Sequence, residues 1–109
     1  MTAPSNLLEL AMLNTLAGGH WFDDETMEFF NTRTYDSAVD EEGDRLLFIT
    51  SDRDDFVDGP TLYSLRAGYP DGRVRTVSRF QQFDSLLEAQ LVMSLVLKGS
   101  LSDDGLVNL

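Results

Sequence analysis

The residues of this chain best suited to chemistry are carboxylates, and a dense group of them opens the stretch FDDETMEFFN at residues 22–31. Three consecutive acids, Asp23–Glu25, could bind a metal, act as catalytic carboxylates or begin a helix. If Asp23 is the N-cap, the next two acids occupy the first helical turn, where carboxylates meet free N–H groups and the positive end of the helix dipole. Phe22 and Met27 then stand at the positions of a hydrophobic staple. The spacing therefore favours the start of a short helix over a catalytic cluster.

Two other features could form a reactive or metal-binding site: His20 and the run DRDDFVDG at residues 52–59. His20 is the single histidine and no nucleophile motif accompanies it, so a packing or capping role is favoured over a general base. A calcium loop beginning at Asp52 would need an acid at its fifth position and glycine at its sixth, where Phe56 and Val57 stand. The chain has no cysteine, which excludes thiolate metal sites and disulfides. We expect no catalytic residues, no metal site and no cofactor.

Acidic residues are concentrated in one third of the chain. Residues 23–58 hold thirteen acids and three arginines, which is a net charge of −10, out of −11 for all 109 residues. Adaptation to salt would spread acids over the whole surface. Such acidity disfavours direct binding of nucleic acid or of an anionic membrane, and favours a basic partner. The acids of this predicted face are Asp23, Asp24, Glu25, Glu28, Asp36, Asp40, Glu41, Glu42, Asp44, Asp52, Asp54, Asp55 and Asp58.

Hydrophobic periodicity and turn signals predict the elements that carry these residues. A first helix is expected over Asn6–Leu16, with Asn6 as N-cap and Gly18-Gly19 as the stop. Two β-hairpins are expected next, one pairing 33–39 with 45–51 and the other pairing 61–69 with 73–80. Four arginines on the second hairpin could form a small basic face or a solvated sheet edge, but they are expected to pair with acids of the first hairpin. They are Arg66, Arg73, Arg75 and Arg79. The apolar face expected for the first helix comprises Leu7, Leu8, Ala11, Met12 and Leu16.

The last predicted helix begins at the capping box Ser85–Glu88 and stops at Gly99. It is almost entirely apolar from Leu86 to Leu97, which indicates either a central place in the core or an interface shared with a partner. A homodimer contact through this helix is therefore a reasonable expectation. The residues of that expected interface are Leu91, Val92, Leu95 and Val96.

The length and element order predict one α+β domain over residues 1–109, in which helices cover one face of a four-stranded antiparallel sheet. Residues 1–4 and 100–109 are expected to form loose tails. The first nineteen residues lack the features of a signal peptide, and the longest apolar run is too short to span a bilayer. We therefore expect a cytoplasmic protein that does not enter the membrane.

Several of these segments together resemble a family of small uncharacterised proteins encoded by actinobacterial phages. The resemblance covers about residues 20–90 and rests on HWFDDETMEFFNTR, on the strand LFITS, on LYSLR and on FQQF at 80–83. The chain departs from the family pattern in its greater acidity between residues 36 and 58 and in its more apolar last helix. The resemblance implies a phage or prophage origin and residence in the cytoplasm of the host cell. It brings no activity, but it favours a small accessory protein that binds a host protein.

Three hypotheses follow from the sequence. The first is a protein whose acidic face imitates a phosphate backbone and blocks a nucleic-acid-binding defence or transcription factor. The second is a non-enzymatic structural or assembly protein that oligomerises through its apolar last helix. The third is an enzyme that uses carboxylates with His20, which requires a pocket where these groups converge. The charge distribution favours the first, with the second close behind.

Overall fold

A computed structural model describes residues 2–18, 30, 34–51 and 61–109, and within them it shows an α+β domain with helices on both sides of an antiparallel sheet. The predicted fold class is therefore confirmed. In chain order the elements are α1 (Leu7–Leu16), β1 (Thr34–Asp40), β2 (Arg45–Ser51), β3 (Tyr63–Gly68), β4 (Val74–Thr76), α2 (Leu86–Leu97) and α3 (Asp103–Val107).

The four strands form a meander in the order β1-β2-β3-β4, and each strand pairs antiparallel with the next. Both predicted hairpins are present, and β2 also pairs with β3 along its whole length, from Leu46 opposite Gly68 to Ser51 opposite Tyr63. Because the strands alternate in direction, the β1–β2 turn and the β3–β4 turn lie at the same end of the sheet. This end carries most of the charged groups discussed below.

The central strand β2 is buried on both faces, which corrects the expectation that helices cover only one face. Leu47 and Ile49 belong to a core that includes α2, whereas Leu46 and Phe48 belong to a separate core that includes α1. Side chains of successive strand residues point to opposite faces. The sheet is therefore the middle layer between two helical layers.

The larger core fills the face of the sheet covered by α2. The helix contributes small and branched side chains at Ala89, Val92 and Val96, and Phe83 adds a ring with 1% of its surface exposed. Leu106 of α3 is also fully buried there. The prediction of an apolar helix central to the core is confirmed for this side of α2.

The smaller core lies between the other face of the sheet and α1. Leu7 and Leu10 of the helix meet Phe48 and Leu46 of β2, and Phe30 packs edge-on against Phe48 with ring centroids 5.8 Å apart. The apolar face expected for α1 is wrong for Leu8, Met12 and Leu16, which are all more than half exposed.

The buried face of α1 consists of Leu7, Leu10 and Asn14, and the Asn14 side chain extends to the β3–β4 turn. Its buried Nδ2 donates to the Gly72 carbonyl at 3.0 Å, so this polar side chain is satisfied inside the core. A periodicity based on apolar residues alone missed this face, because one of its three inward positions is an asparagine.

The ends of the two longer helices follow the predicted chemistry. Asn6 accepts a hydrogen bond from the Glu9 N–H at 2.9 Å, and Ser85 accepts one from the Glu88 N–H at 3.1 Å. Gly99 follows α2 with a φ of +75°, a conformation that glycine adopts without a steric penalty. Both helices therefore begin at the predicted cap residues.

The C-terminal residues are packed, in place of the loose tail that the sequence suggests. Ser102 caps α3 by accepting from the Gly105 N–H at 3.0 Å, and Leu106 is fully buried. The Gln82 side chain donates to the Leu106 carbonyl at 2.8 Å. At the other end of the chain, Pro4 is buried as well. Among the described residues, no helix has the length and apolar character needed to cross a membrane.

Because α1 lies close to the β3–β4 turn, there is no room for a side chain at position 72. We expect Gly72→Ala to lower the free energy of unfolding by about 2–3 kcal/mol, since the new methyl adds both a left-handed strain and a steric clash. The φ of Gly72 is +87°, and a Cβ there would lie 2.7 Å from the backbone nitrogen of Asn14. Urea denaturation followed by circular dichroism measures the loss.

Gly18→Ala is the matched control, because Gly18 also has a positive φ, of +84°, but a Cβ there meets nothing within 4 Å. It should cost only the backbone strain, about 1 kcal/mol. Equal losses for the two variants would mean that α1 does not press on the β3–β4 turn.

Candidate functional site

Exposed carboxylates cluster on the turn between β1 and β2. Glu41, Glu42 and Asp44 are all exposed, and the turn closes with the Asp44 N–H donating to the Glu41 carbonyl at 3.3 Å. Asp44 has a φ of +51°, a left-handed conformation that Asp and Asn tolerate better than most residues. A tight turn thus places three like charges within four residues.

Asp40 lies beneath this turn, which corrects its assignment to an open acidic face. The side chain accepts from the Gly43 N–H at 3.3 Å and from Arg45 Nε at 2.9 Å, and only 6% of the residue is exposed. A Cβ at position 43 would come within 2.8 Å of both partners of this ion pair. Glycine at position 43 therefore leaves room for the pair under the turn.

Arg45 is the centre of a buried ion network. Its Nη1 and Nη2 donate to the two carboxylate oxygens of Asp103 at 2.8 and 2.9 Å, and Nη1 also lies 3.5 Å from the Tyr69 hydroxyl. Arg75 pairs with the same Asp103 carboxylate from β4. The network therefore ties the β1–β2 turn to β4 and to α3.

The ion network shifts the pKa values of Arg45 and Asp103 in the directions that favour their charged forms. Hydrogen bonds to Asp103 raise the pKa of Arg45 above its ordinary value in spite of the burial of the guanidinium. Hydrogen bonds from Arg45 in turn lower the pKa of Asp103. Both groups are therefore charged at neutral pH, and their role is to hold elements together.

The β3–β4 turn adds a fourth carboxylate to the same end of the sheet. Asp71 is exposed and accepts from the Arg73 N–H at 3.0 Å, while the Arg73 guanidinium lies over the Tyr69 ring, 4.3 Å from its centroid. Asp44 and Asp71 line one open groove of about 330 Å³ with Tyr69 and Arg73. We call Glu41, Glu42, Asp44 and Asp71 the acidic end.

The four arginines of the second hairpin are engaged within the chain, but among the described residues they make no ion pair with acids of the first hairpin, so that prediction is wrong. Arg66 donates to the hydroxyls of Thr50 and Thr76 and lies over the Phe30 ring, and Arg79 donates to the Leu109 carbonyl. The partner of Arg75 is Asp103 of α3, an acid near the end of the chain. Most of the described arginine side chains therefore contact other groups of the same chain.

The structure brings together only part of the predicted acidic face. Asp36 is half-buried on β1 and accepts from the Gln90 side chain at 3.3 Å. The end of β2 at Ser51 lies about 20 Å from the β1–β2 turn, at the strand rise of ~3.3 Å per residue. Eight predicted acids lie outside the described residues: Asp23, Asp24, Glu25, Glu28, Asp52, Asp54, Asp55 and Asp58.

The expected interface on α2 divides into two pairs. Val92 and Val96 are each 6% exposed and belong to the core of this chain, so they are not open to a partner. Leu91 and Leu95 lie on the outer side of the helix, with 59% and 44% of their surface exposed. The outward part of the predicted interface is therefore these two leucines.

The Arg45–Asp103 pair could not be predicted from the sequence, because the two residues stand 58 positions apart and no local motif joins them. His20 and the run at 52–59 lie outside the described residues. Across the ranges that the structure describes, no three His, Cys, Asp or Glu side chains are arranged to hold a metal ion.

Comparison with known proteins gives one match. A family model described as a family of unknown function (DUF7447) matches residues 6–94, which is most of the chain. No curated protein and no solved structure matches it.

Proposed function

The chain belongs to the DUF7447 family of unknown function, and we propose that it is a non-enzymatic binding protein whose acidic end engages a basic surface of another protein. The observation that carries the proposal is that the carboxylates at that end are exposed and unpaired among the described residues, whereas the nearest arginine is buried and paired. Glu41, Glu42 and Asp44 are exposed and make no side-chain ion pair with any described residue. The nearest buried cation, Arg45, is already neutralised by Asp40 and Asp103.

This arrangement suits recognition by charge. Repulsion among crowded exposed carboxylates is relieved when a cationic surface docks on them, and the attraction also speeds the encounter. The turn is held from below by the Asp40–Arg45 pair, so little order has to be gained on binding. Surfaces that bind nucleic acid are rich in Lys and Arg, which makes them natural partners for such an end.

The proposal includes a biological setting taken from the phage resemblance. A phage accessory protein in the host cytoplasm would meet host factors whose basic surfaces normally hold DNA. Carboxylates that occupy the place of phosphates would then inhibit a defence or transcription factor. A catalytic role is not part of the proposal.

A pull-down from actinobacterial lysate tests this function through its salt dependence. We expect the protein to retain a nucleic-acid-binding protein at low salt and to release it at ~0.5 M salt or on addition of duplex DNA, because screening weakens exposed charge contacts. For the partner identified in this way, neutralising the turn with Glu41→Gln, Glu42→Gln and Asp44→Asn together should weaken binding at least about tenfold. Isothermal titration calorimetry measures the change.

The control variant removes the same charge elsewhere, through Glu9→Gln, Asp84→Asn and Glu88→Gln, which are exposed acids away from the turn. Both triple variants have a net charge of −8, because each replaces three acids in a chain of net charge −11. Equal weakening by the two variants would refute a local site. Failure to capture any salt-sensitive partner would refute the proposed function itself.

A further inference from the structure

The outer side of α2 carries an apolar centre between two oppositely charged ends. Glu88, Leu91, Leu95 and Lys98 follow one another at spacings of three, four and three residues, which is the spacing of a coiled-coil seam. All four are exposed, and the exposed Leu87 flanks them. The opposite side of the helix is fully occupied by the core, so this seam faces outward.

The charged ends of the seam are unbalanced within the described part of the chain. Asp84 stands just before the N-cap Ser85, four residues ahead of Glu88, and its hydrogen bond and its proximity raise the pKa of the Glu88 carboxyl. At the other end of α2, the ammonium of Lys98 makes no ion pair with any described residue. Lys98 is the single lysine of the sequence. An excess of negative charge at one end thus matches a positive charge at the other.

We propose that two copies of this chain associate through α2 in an antiparallel helix pair related by a twofold axis. In this register Leu91 packs against Leu95 of the second copy, and Glu88 faces Lys98 of the second copy. The same two contacts recur on the other side of the axis, as an isologous interface requires. A parallel pair would instead place Glu88 against Glu88 and Lys98 against Lys98, so charge selects the antiparallel arrangement.

The size of the contact sets its expected strength. A helix of twelve residues is about 18 Å long, so the pair lies at the small end of protein interfaces. We therefore expect a dimer in equilibrium with the monomer. This inference rests on residues of α2 alone, although the acidic end adjoins the end of the helix that carries Lys98: a Cβ at Gly99 would lie 3.6 Å from Glu42 Oε2.

Sedimentation velocity of the full chain over a range of concentrations tests the interface. We expect the mass to rise from the monomer value of 12.2 kDa towards twice that value, and Leu91→Glu to keep the protein monomeric. Leu8→Glu is the matched control, since Leu8 is a helical leucine on α1 that is also more than half exposed. A wild type that stays monomeric at every concentration, or a dimer abolished by Leu8→Glu and not by Leu91→Glu, overturns the proposal.

A charge exchange tests the register. Glu88→Lys and Lys98→Glu should each weaken self-association about tenfold, because each places like charges opposite each other twice. An equimolar mixture of the two variants restores both opposite-charge contacts, so it should associate as tightly as the wild type. Circular dichroism verifies that each variant keeps its helices. A mixture no tighter than the separate variants, or single variants as tight as the wild type, rules out the antiparallel register.

Discussion

We expect Arg45→Ala to lower the free energy of unfolding by about 3–5 kcal/mol, since removing one partner of a buried ion pair leaves the other charges without compensation. Asp40 would lose its Nε donor and Asp103 would lose both bonds of its bidentate pair. Side-chain exposure at Arg45 and Asp40 is only 10% and 8%, so water cannot readily take the place of the lost contacts. Urea denaturation measures the loss at neutral pH.

Arg75→Ala is the matched control, because Arg75 contacts the same Asp103 carboxylate but has about half of its side chain exposed. It should cost at most about 1 kcal/mol, as exposed ion pairs do. Comparable losses for the two variants would show that burial does not set the strength of this network.

The pH dependence of the Arg45→Ala effect follows from the lowered pKa of Asp103. A carboxyl whose pKa is lowered by folding stabilises the native state above its unfolded pKa of ~3.9, and loses that contribution as pH falls through the folded pKa. Arg45 is the main cause of the shift. The difference in stability between wild type and Arg45→Ala should therefore be constant near neutral pH and shrink below about pH 4.

Local signals in the sequence were sufficient for α1, the four strands, α2 and their order, but not for α3, where a loose tail was expected. The cap residues Asn6 and Ser85 and the stop at Gly99 act within one helical turn, and β2 occupies the predicted residues 45–51. Layering was harder to predict. The run RLLFITS at 45–51 has apolar residues on both faces of the strand, a pattern typical of a sheet covered on two sides, whereas the element order alone predicts helices on one face.

Contacts between distant segments account for the rest of what the sequence did not predict. Arg45 pairs with its neighbour Asp40, but its bidentate acceptor is Asp103 of α3, which no local pattern indicates. Asn14 is buried and donates to the Gly72 carbonyl, a contact that no helical periodicity reveals. Of the candidate site, the exposed turn acids Glu41, Glu42 and Asp44 could be predicted from composition and turn signals. The position of Asp71 beside them could not be predicted, because it depends on the strand order that brings the β3–β4 turn next to the β1–β2 turn.

The second core, under α1, makes the other prediction with a large effect. Phe48→Ala should lower the free energy of unfolding by about 3–5 kcal/mol, because it removes a fully buried ring and leaves a cavity that the sheet cannot close. Phe48 is 0% exposed on the central strand and packs edge-on against Phe30. The midpoint of urea denaturation should fall while its slope stays unchanged.

Phe80→Ala makes the same substitution at a ring that is 65% exposed, and it should change stability by no more than about 0.5 kcal/mol. If both variants lose several kcal/mol of stability, Phe80 has a packing role that its exposure does not indicate. A small loss at Phe48 would mean that α1 covers the sheet without a packed core between them. α1 would then be a poor support for the β3–β4 turn, to which Asn14 fastens it and on which Asp71 of the acidic end stands.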